Sequence, residues 1–545
     1  PDDPAKQLLP EDGLRVSLFT DAVYNSGRLT LTDNLIALPS IKTIVQGEWD
    51  RADDERFSLD LDIQEFPLHE LPLISPAVRK IEPDGMLAAA IRIDGDSNST
   101  PRINGSLQLK DVHANLPRPI ADINELSGTL NLEWPFLGGN NLSAKLGQSP
   151  INLDLDIPDL HKARIDMIIT GKEVRSDELI FRSEKTFLRD VDAVISFVDN
   201  TLLLGPIHTR MDGGTDVTIN GTVTNFPVPD TELTIEGAYG NIDEVIGLWI
   251  SEEGRSGHRV KKKRGHLEID VKTDAGEIHH LPFEQGEAHI SFRDPALVIY
   301  PLTFKSGPGF GTGQVLVEFR DNEPPLLRMS GHLEDFSALD VYQQLLQRKG
   351  IVTGSLRGDF YLEGSAGALN EVFLPDSFGA FNFEIKNGNL KKMRALSEVL
   401  TIFNIYPIFT SGGQERGVPF KTLSSNVSME NGVLSTEDMV MSGDVKNMSM
   451  AGTQNLITNT VDLEMGLMPL RTIDRLVTKI PLAGWILTGK DKSLVTAHFK
   501  LTGSADDPEI KAIPIESASR QVVGIFKRLF TLPVKVISDV GKAIE

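Results

Sequence analysis

A glycine-rich stretch, GPGFGTG at residues 307–313, has the composition of a loop that could bind a phosphate. A nucleotide-binding loop should open a helix, whose N-terminus binds the phosphate, and it typically ends in Gly-Lys-Ser/Thr. This stretch lacks that ending and lies between two strand-like segments, LTF and QVLVEF. We therefore interpret it as a hairpin turn.

Four histidines, His266, His279, His280 and His289, lie close together in the chain. A zinc site needs converging ligands that neighbouring groups hold in orientation. These histidines fall on predicted strands beside ordinary polar residues and lack the spacing of a metal motif, so we expect them on a solvated face. The sequence also shows no serine nucleophile elbow, no HExxH and no convincing carboxylate pair. We predict that the protein is not an enzyme and needs no metal or cofactor.

The chain is acidic, with 54 Lys+Arg against 77 Asp+Glu and a net charge of −23 over 545 residues. Nucleic acids need cationic partners, so we do not expect one to bind here. The absence of cysteine excludes disulfides and thiolate metal sites. One basic run, RVKKKR at residues 259–264, is predicted to be an exposed loop that could meet anionic headgroups or a protein partner.

Alternation of apolar and polar residues at period two dominates the sequence. Successive side chains of a strand point to opposite faces, so each such segment has one apolar and one wet face. Turn formers separate the segments, and the pattern predicts antiparallel sheet with one solvated face. The apolar alternates that we expect to line the other face are Leu59, Leu61, Ile63, Leu153, Leu155, Ile157, Leu233, Ile235, Leu267, Ile269, Val271, Phe360, Leu362, Phe381, Phe383 and Ile385.

The sequence repeats itself. ISFVDNTLLLGPIHT, from Ile195, returns as ISFRDPALVIYPLTF from Ile290, a shift of 95 residues. RGHLEID at Arg264 likewise matches RGDFYLE at Arg357 at a shift of 93, and a short helical pattern precedes each copy, at 241–250 and 337–347. A unit of strand, turn and strand that recurs in this way predicts a meander stacked on copies of itself.

The C-terminal segment predicts an amphipathic helix. Val522, Phe526 and Phe530 fall on one helical face, and from Lys511 onward there are six Lys/Arg against three Asp/Glu. Such a helix can lie in a membrane interface, or it can cover the end of a sheet with the same apolar face. We expect these three residues to contact a membrane or to close the end of the sheet.

Several segments resemble a known family. They are IPLAGWILTGKDKSLVTAHFKLTGSADDPEI at 480–510, GIFKRLFTLP at 524–533, GSLRGDFYLEGSAG at 354–367 and FNFEIKNGNL at 381–390. Together they are similar to the C-terminal region of AsmA-like proteins, and more specifically to the YhdP-type branch of that superfamily, to which TamB is related. The resemblance covers roughly residues 331–533.

The resemblance implies an elongated, curled antiparallel sheet with an apolar lining, a few short helices and C-terminal amphipathic helices. It implies a periplasmic protein of a Gram-negative bacterium that carries phospholipids between inner and outer membrane, with envelope proteins as possible partners. It also implies an inner-membrane anchor through an N-terminal helix that this chain lacks. We predict repetitive sheet at 1–236, a further repeat at 237–330, the AsmA-like region at 331–515 and a helical tail at 516–545.

A second architecture remains open on the sequence alone. A continuous apolar face must be covered, and a sheet can do this by packing on another sheet or by holding acyl chains. The first case is a structural or adhesive string of β-sandwich domains without lipid. The second is a lipid-conducting surface, because dispersion and hydrophobic contacts are non-directional and let a chain slide.

Overall fold

The computed structural model describes residues 17–514 with the exception of 39–40, 52, 54, 74–83, 116–120, 180, 182, 226–227, 249–264, 279, 294, 321–322, 346–351, 369–370, 373, 391–416, 444–445, 470–486, 489–494 and 506–507. The chain divides into two units, one of residues 1–239 with 247–267 and the other of residues 240–246 with 268–545. Each is described by itself below.

Unit 1 is built of strands that mostly pair with the next strand in the chain, although the first two both pair with the third. They are β1 Ser17–Phe19, β2 Ala22–Asn25, β3 Arg28–Ala37, β4 Lys42–Asp50, β5 Arg56–Pro67, β6 Asp84–Gly95, β7 Arg102–Ala114, β8 Ile123–Glu133, β9 Phe136–Leu146, β10 Ser149–Ile157, β11 Arg164–Arg175, β12 Phe187–Val198, β13 Thr201–Arg210, β14 Asp216–Thr224 and β15 Asp230–Asn241, the last of which ends in unit 2. Short 3₁₀ turns cover Leu68–Leu73 and Ser176–Glu178.

Unit 2 continues the same pattern. Its strands are β16 His266–Ile278, which begins in unit 1, β17 Leu281–Arg293, β18 Ala296–Ser306, β19 Gly309–Glu318, β20 Leu326–Ser337, β21 Val352–Ala368, β22 Glu371–Val372, β23 Phe378–Leu390, β24 Val418–Glu430, β25 Val433–Ser442, β26 Lys446–Asn455, β27 Thr460–Pro469, β28 Leu487–Thr488, β29 Val495–Ser504 and β30 Glu509–Ile513. A 3₁₀ turn covers Leu374–Asp376.

The two short helices that the sequence predicts are present. Helix α1, Ile242–Gly247, begins where the Asn241 side chain accepts the backbone N–H of Glu244 at 3.1 Å. Helix α2, Ala338–Asp340, runs on into a π-helical turn at Val341–Leu345, and Ser337 caps it by accepting the N–H of Asp340. Side-chain acceptors at helix starts satisfy N–H groups that have no partner in the helix.

Every pairing between strands whose register is defined is antiparallel, so the predicted mainly β, antiparallel fold is confirmed. Within each unit, the strands that contact one another extensively are neighbours in one sheet. A β-sandwich would instead bring strands of two sheets face to face. Over the described residues, the long strands of each unit instead belong to one sheet.

The sequence repeat corresponds to one structural unit. Ile195 and Phe197 of β12 pair with Leu204 and Leu202 of β13, and the equivalent residues of β17 and β18 pair in the same register 95 positions later. Both hairpins are irregular at the same point, just beyond the isoleucine pair. What recurs in the sequence is therefore a hairpin with a fixed turn and a fixed irregularity.

Eight of the described strands contain a polar residue with positive φ beside a shift in register. Asp and Asn tolerate this left-handed conformation better than other side chains. The N–H of Asp111 is bonded by Ser127 Oγ at 2.9 Å and that of Asn141 by Asp154 Oδ1 at 2.7 Å, which replaces bonds that the ladder loses. Inside the strands, these residues are Asp33, Asp111, Glu125, Asn141, Asp190, Gln285, Asp335 and Asn387.

Compact clusters of buried side chains form the core of each unit over the described residues. In unit 1, one cluster surrounds Phe66, which is 3% exposed, and another surrounds Leu142, which is fully buried. In unit 2, the largest cluster centres on Phe499 and Leu467, each 1% exposed. Buried apolar side chains of this kind supply most of the folding free energy.

Candidate functional site

The sequence-predicted lining residues of unit 1 share one face of its sheet. Leu61 pairs with Ile91, and the row continues through Gly105, Leu132 and Leu137 to Ile157. A second row runs from Leu155 through Met167, Ile195, Leu204 and Gly221 to Leu233. Directly paired residues of an antiparallel sheet lie on the same face. The residues that we placed there are Leu59, Leu61, Ile63, Leu153, Leu155, Ile157, Leu233 and Ile235.

The predicted lining residues of unit 2 share a face in the same way. Phe360 pairs with Phe381, Gly358 pairs with Phe383, and Leu356 pairs with Ile385. From there the face continues through Leu423, Met441 and Met448 to Leu467. We call these two surfaces the apolar face of unit 1 and the apolar face of unit 2.

Ile269 and Val271 lie on the apolar side of β16. Between them, Asp270 accepts a hydrogen bond from His289 at 2.8 Å, and residues on either side of Asp270 must point away from that contact. Leu267 lies near the start of the same strand. Residues 522, 526 and 530 lie outside the described part of the chain, as does the basic run at 259–264.

The apolar faces are partly open. Of the sixteen predicted lining residues, only Leu153 and Ile385 are buried, at 9% and 7% exposure, and the others are half-buried. A core residue between two packed layers would have less than a tenth of its surface exposed. Among the described residues, the hydrocarbon side chains of these faces are therefore only partly covered.

The opposite face of each sheet carries the ion pairs. Arg92 contacts Asp60 at 3.4 Å, and Arg189 contacts Asp212 at 3.0 Å, in unit 1. An open depression of about 410 Å³ on this polar face is lined by Asp60, Asp62 and Arg92, among others. Exposed pairs of this type contribute little to stability, so they mainly keep this face in water.

The described members of the histidine group lie in different surroundings. His289 lies between Asp270 and Glu268, at 2.8 and 3.1 Å, and the hydrogen bond to Asp270 raises its pKa. His280 is exposed in a turn, and His279 is outside the described residues. Among the residues that the structure does describe, no three His, Cys, Asp or Glu side chains are grouped to hold a metal ion.

The stretch GPGFGTG forms the β18–β19 turn with Gly307 at φ +56°, followed by the start of β19.

His498 gives unit 2 a predicted pH dependence. It is 3% exposed, and burial lowers its pKa, against the opposing effect of the Glu464 carboxylate. The unfolded chain therefore binds the proton more readily, so this residue should make unit 2 less stable as pH falls through about 6.5. We expect His498→Leu to reduce the loss of stability between about pH 7.5 and about pH 5, measured by urea unfolding.

His289 provides the control for this measurement. Its raised pKa has the opposite sign, because the pairing with Asp270 contributes stability at low pH that is lost as pH rises through the folded-state value. His289→Gln should therefore steepen the loss on acidification. If the stability of the His498→Leu variant depends on pH in the same way as that of the wild type, the prediction is wrong.

Glycines on the apolar faces hold aromatic rings close to the backbone. A Cβ placed on Gly95 would lie 2.8 Å from the ring of Phe57, and one on Gly311 would lie 2.6 Å from the ring of Phe304. Each pair is directly opposed across neighbouring strands. Each ring thus occupies the space that a side chain on the opposite glycine would take.

These glycines and aromatic residues were not among the predicted site residues. Gly309, Gly311 and Gly313 recur at period two in the stretch that we interpreted as a turn. That spacing places three glycines on one face of a strand, a signal that was present in the sequence. Phe57 and Phe304 carry no such signal, because the glycines that they cover belong to other strands.

No helix among the described residues has the length and hydropathy to cross a membrane.

The structure thus defines a class of protein: antiparallel sheets that leave one apolar face partly open and hold the charges on the other. Residues 320–510, about a third of the chain, match the model of the YhdP protein family. This match confirms the resemblance seen in the sequence for that part of the chain. No curated protein matches the chain.

Proposed function

We propose that the chain conducts phospholipid acyl chains along the apolar faces of its units, as a periplasmic carrier between the inner and outer membranes of a Gram-negative bacterium. The observation that carries this proposal is the rows of paired apolar residues and glycines on one face of the sheet, where most of the predicted lining residues are half-buried rather than buried. Membranes at either end, and envelope proteins at those membranes, would be its partners.

The physical chemistry of the two faces supports this function. Contact between acyl chains and half-buried Leu, Ile and Phe side chains would lower the free energy by about 25 cal/mol for each Å² of apolar surface removed from water. No directional bond would hold the chains in place, so they could move along the face. The charged groups of the lipid would stay in water. The match to the YhdP family over residues 320–510 favours the same interpretation.

Bound lipid is the direct test. We expect the protein purified from a Gram-negative envelope without detergent to carry phospholipid, detected by mass spectrometry after solvent extraction. Lipid should also pass to the protein from phosphatidylglycerol vesicles added to a lipid-free sample. Absence of lipid in both samples contradicts the proposal.

A further inference from the structure

Each copy of the repeated hairpin contains three consecutive apolar residues. Residues 202–204 read Leu-Leu-Leu, and residues 297–299, at the shift of 95, read Leu-Val-Ile. In a strand, the first and third residues of such a run lie on one face and the middle residue lies on the other. The apolar face therefore explains two residues in each copy and leaves the middle one, Leu203 or Val298, unexplained.

Both middle residues lie on the polar face with their side chains open to solvent. Leu203 is 41% exposed and pairs with Ser196 of β12, and Val298 is 38% exposed and pairs with Ser291 of β17. The repeat thus places an exposed apolar side chain opposite a serine in each unit. An apolar side chain that stays in water contributes little to folding, so its recurrence favours a role in binding.

In unit 1, two further apolar residues lie beside Leu203 on the polar face. Ile168 of β11 is 44% exposed and pairs with Val194 of β12, which is half-buried. Val194 and Ser196 point to the same side of β12, so Leu203, opposite Ser196, is a diagonal neighbour of Val194. We call the surface that Ile168, Val194 and Leu203 form across three adjacent strands the outer apolar patch.

Carboxylates surround the outer apolar patch. Asp154 lies directly opposite Ile168, and Asp156 lies directly opposite Asp166 across β10 and β11, although like charges in that position destabilise a sheet. Arg164 pairs with Asp166 at 2.8 Å. The carboxylates in the cross-strand rows of the patch and in the next row are those of Asp154, Asp156, Asp166, Asp192 and Glu232.

These charges indicate which kind of molecule is complementary to the patch. Carboxylates attract a cationic surface, and they repel anionic lipid headgroups and nucleic acid. A second copy of this chain is disfavoured in the same way, because its net charge is −23. The complementary surface is therefore amphipathic, with apolar side chains in the middle and Lys or Arg around them, as on a protein segment.

We propose that the outer apolar patch of unit 1 docks a cationic amphipathic segment of a protein partner. Its apolar side chains cover Ile168, Val194 and Leu203, and its Lys or Arg side chains pair with the surrounding carboxylates. The patch lies on the face opposite the one that we assign to acyl chains, so this inference goes beyond the proposed function and does not depend on it.

The test uses a labelled synthetic peptide of Leu and Lys with one apolar and one cationic helical face. A shuffled peptide of the same composition is its control. Binding to the full chain is measured by fluorescence anisotropy at an ionic strength of about 0.15 M. We expect Leu203→Ser to weaken binding of the amphipathic peptide about tenfold, and Leu203→Ser combined with Ile168→Ser to weaken it about 100-fold, because each substitution removes apolar contact.

Two further variants separate this contact from a general effect. Asp156→Asn combined with Glu232→Gln should weaken binding about tenfold and reduce its dependence on salt, because it removes two charges beside the patch. Leu160→Ser is the matched control, since Leu160 is 39% exposed but lies in the turn between β10 and β11. It should leave the affinity unchanged, and circular dichroism establishes that each variant is folded.

Several results would overturn the proposal. One is that the wild type does not bind the peptide at micromolar concentration, and another is that it binds the amphipathic and shuffled peptides equally. Leu203→Ser and Ile168→Ser with wild-type affinity, or an equal loss in Leu160→Ser, would refute it too. Phosphatidylglycerol vesicles provide the last comparison: if Leu203→Ser lowers binding to the vesicles and not to the peptide, the patch contacts a membrane and the proposal is wrong.

Discussion

Leu233→Asp is expected to abolish lipid carriage by unit 1. Leu233 is half-buried on the apolar face, where it follows Leu204 and Gly221 in the cross-strand row. An ionised carboxylate in hydrocarbon costs about 3 kcal/mol at the centre of an apolar layer, so we expect lipid occupancy at this point to fall roughly 100-fold. One such interruption affects the whole path, because a chain that slides along the face must pass it.

The neighbouring residue supplies the matched control. Thr234 is exposed on the polar face of the same strand, so Thr234→Asp adds the same charge one position away. We expect it to leave lipid uptake at the wild-type level, measured by transfer from phosphatidylglycerol vesicles. Circular dichroism and hydrogen exchange of β14 and β15 establish that both variants are folded. Equal uptake by the two folded variants would count against the apolar face as the path.

Phe499→Ala is expected to have the largest effect on stability. Phe499 is 1% exposed, pairs with Met465 across β27 and β29, and belongs to the cluster that contains Leu467. Removal of a buried phenyl ring costs the transfer free energy and leaves a cavity, which together amount to about 3–5 kcal/mol. We expect the free energy of unfolding of unit 2 to fall by that amount.

Hydrogen exchange measures this effect within the unit concerned. Amide protons of β26, β27 and β29 report the opening of this cluster, and their exchange should accelerate by about two to three orders of magnitude. Phe310→Ala is the control, because Phe310 is 43% exposed and opposes the charged residues Lys305 and Glu334. A similar acceleration in both variants would mean that burial does not decide the cost.

The sequence was sufficient to predict the antiparallel strands. Leu59, Leu61 and Ile63 alternate with acidic residues, so period two alone placed them on one side of their strand, and Leu61 lies in a row of paired residues that ends at Ile157. The repeat was informative for the same reason, because a hairpin with a fixed turn leaves the same letters wherever it recurs.

The features that the sequence did not reveal all depend on which strand lies beside which. The stacking of Phe304 on Gly311 needs the register of β18 with β19, and the edge-to-face contacts of its ring need Phe283 and Phe336 to arrive from two further strands. The irregularity beside Asp190 or Asp335 is similarly a property of a pair of strands. The predicted boundaries at 236/237, 330/331 and 515/516 stay predictions, as does the lining role of the sixteen apolar residues.

Most strands pair with the next strand in the chain, and this has a consequence for how the protein forms. Contacts made mainly between adjacent hairpins close only short loops, so each hairpin can order as soon as its partner strand has been synthesised. A hairpin pair could also be added or lost without rearranging the others. The number of strands in such a sheet would then be set by the number of duplications in its gene.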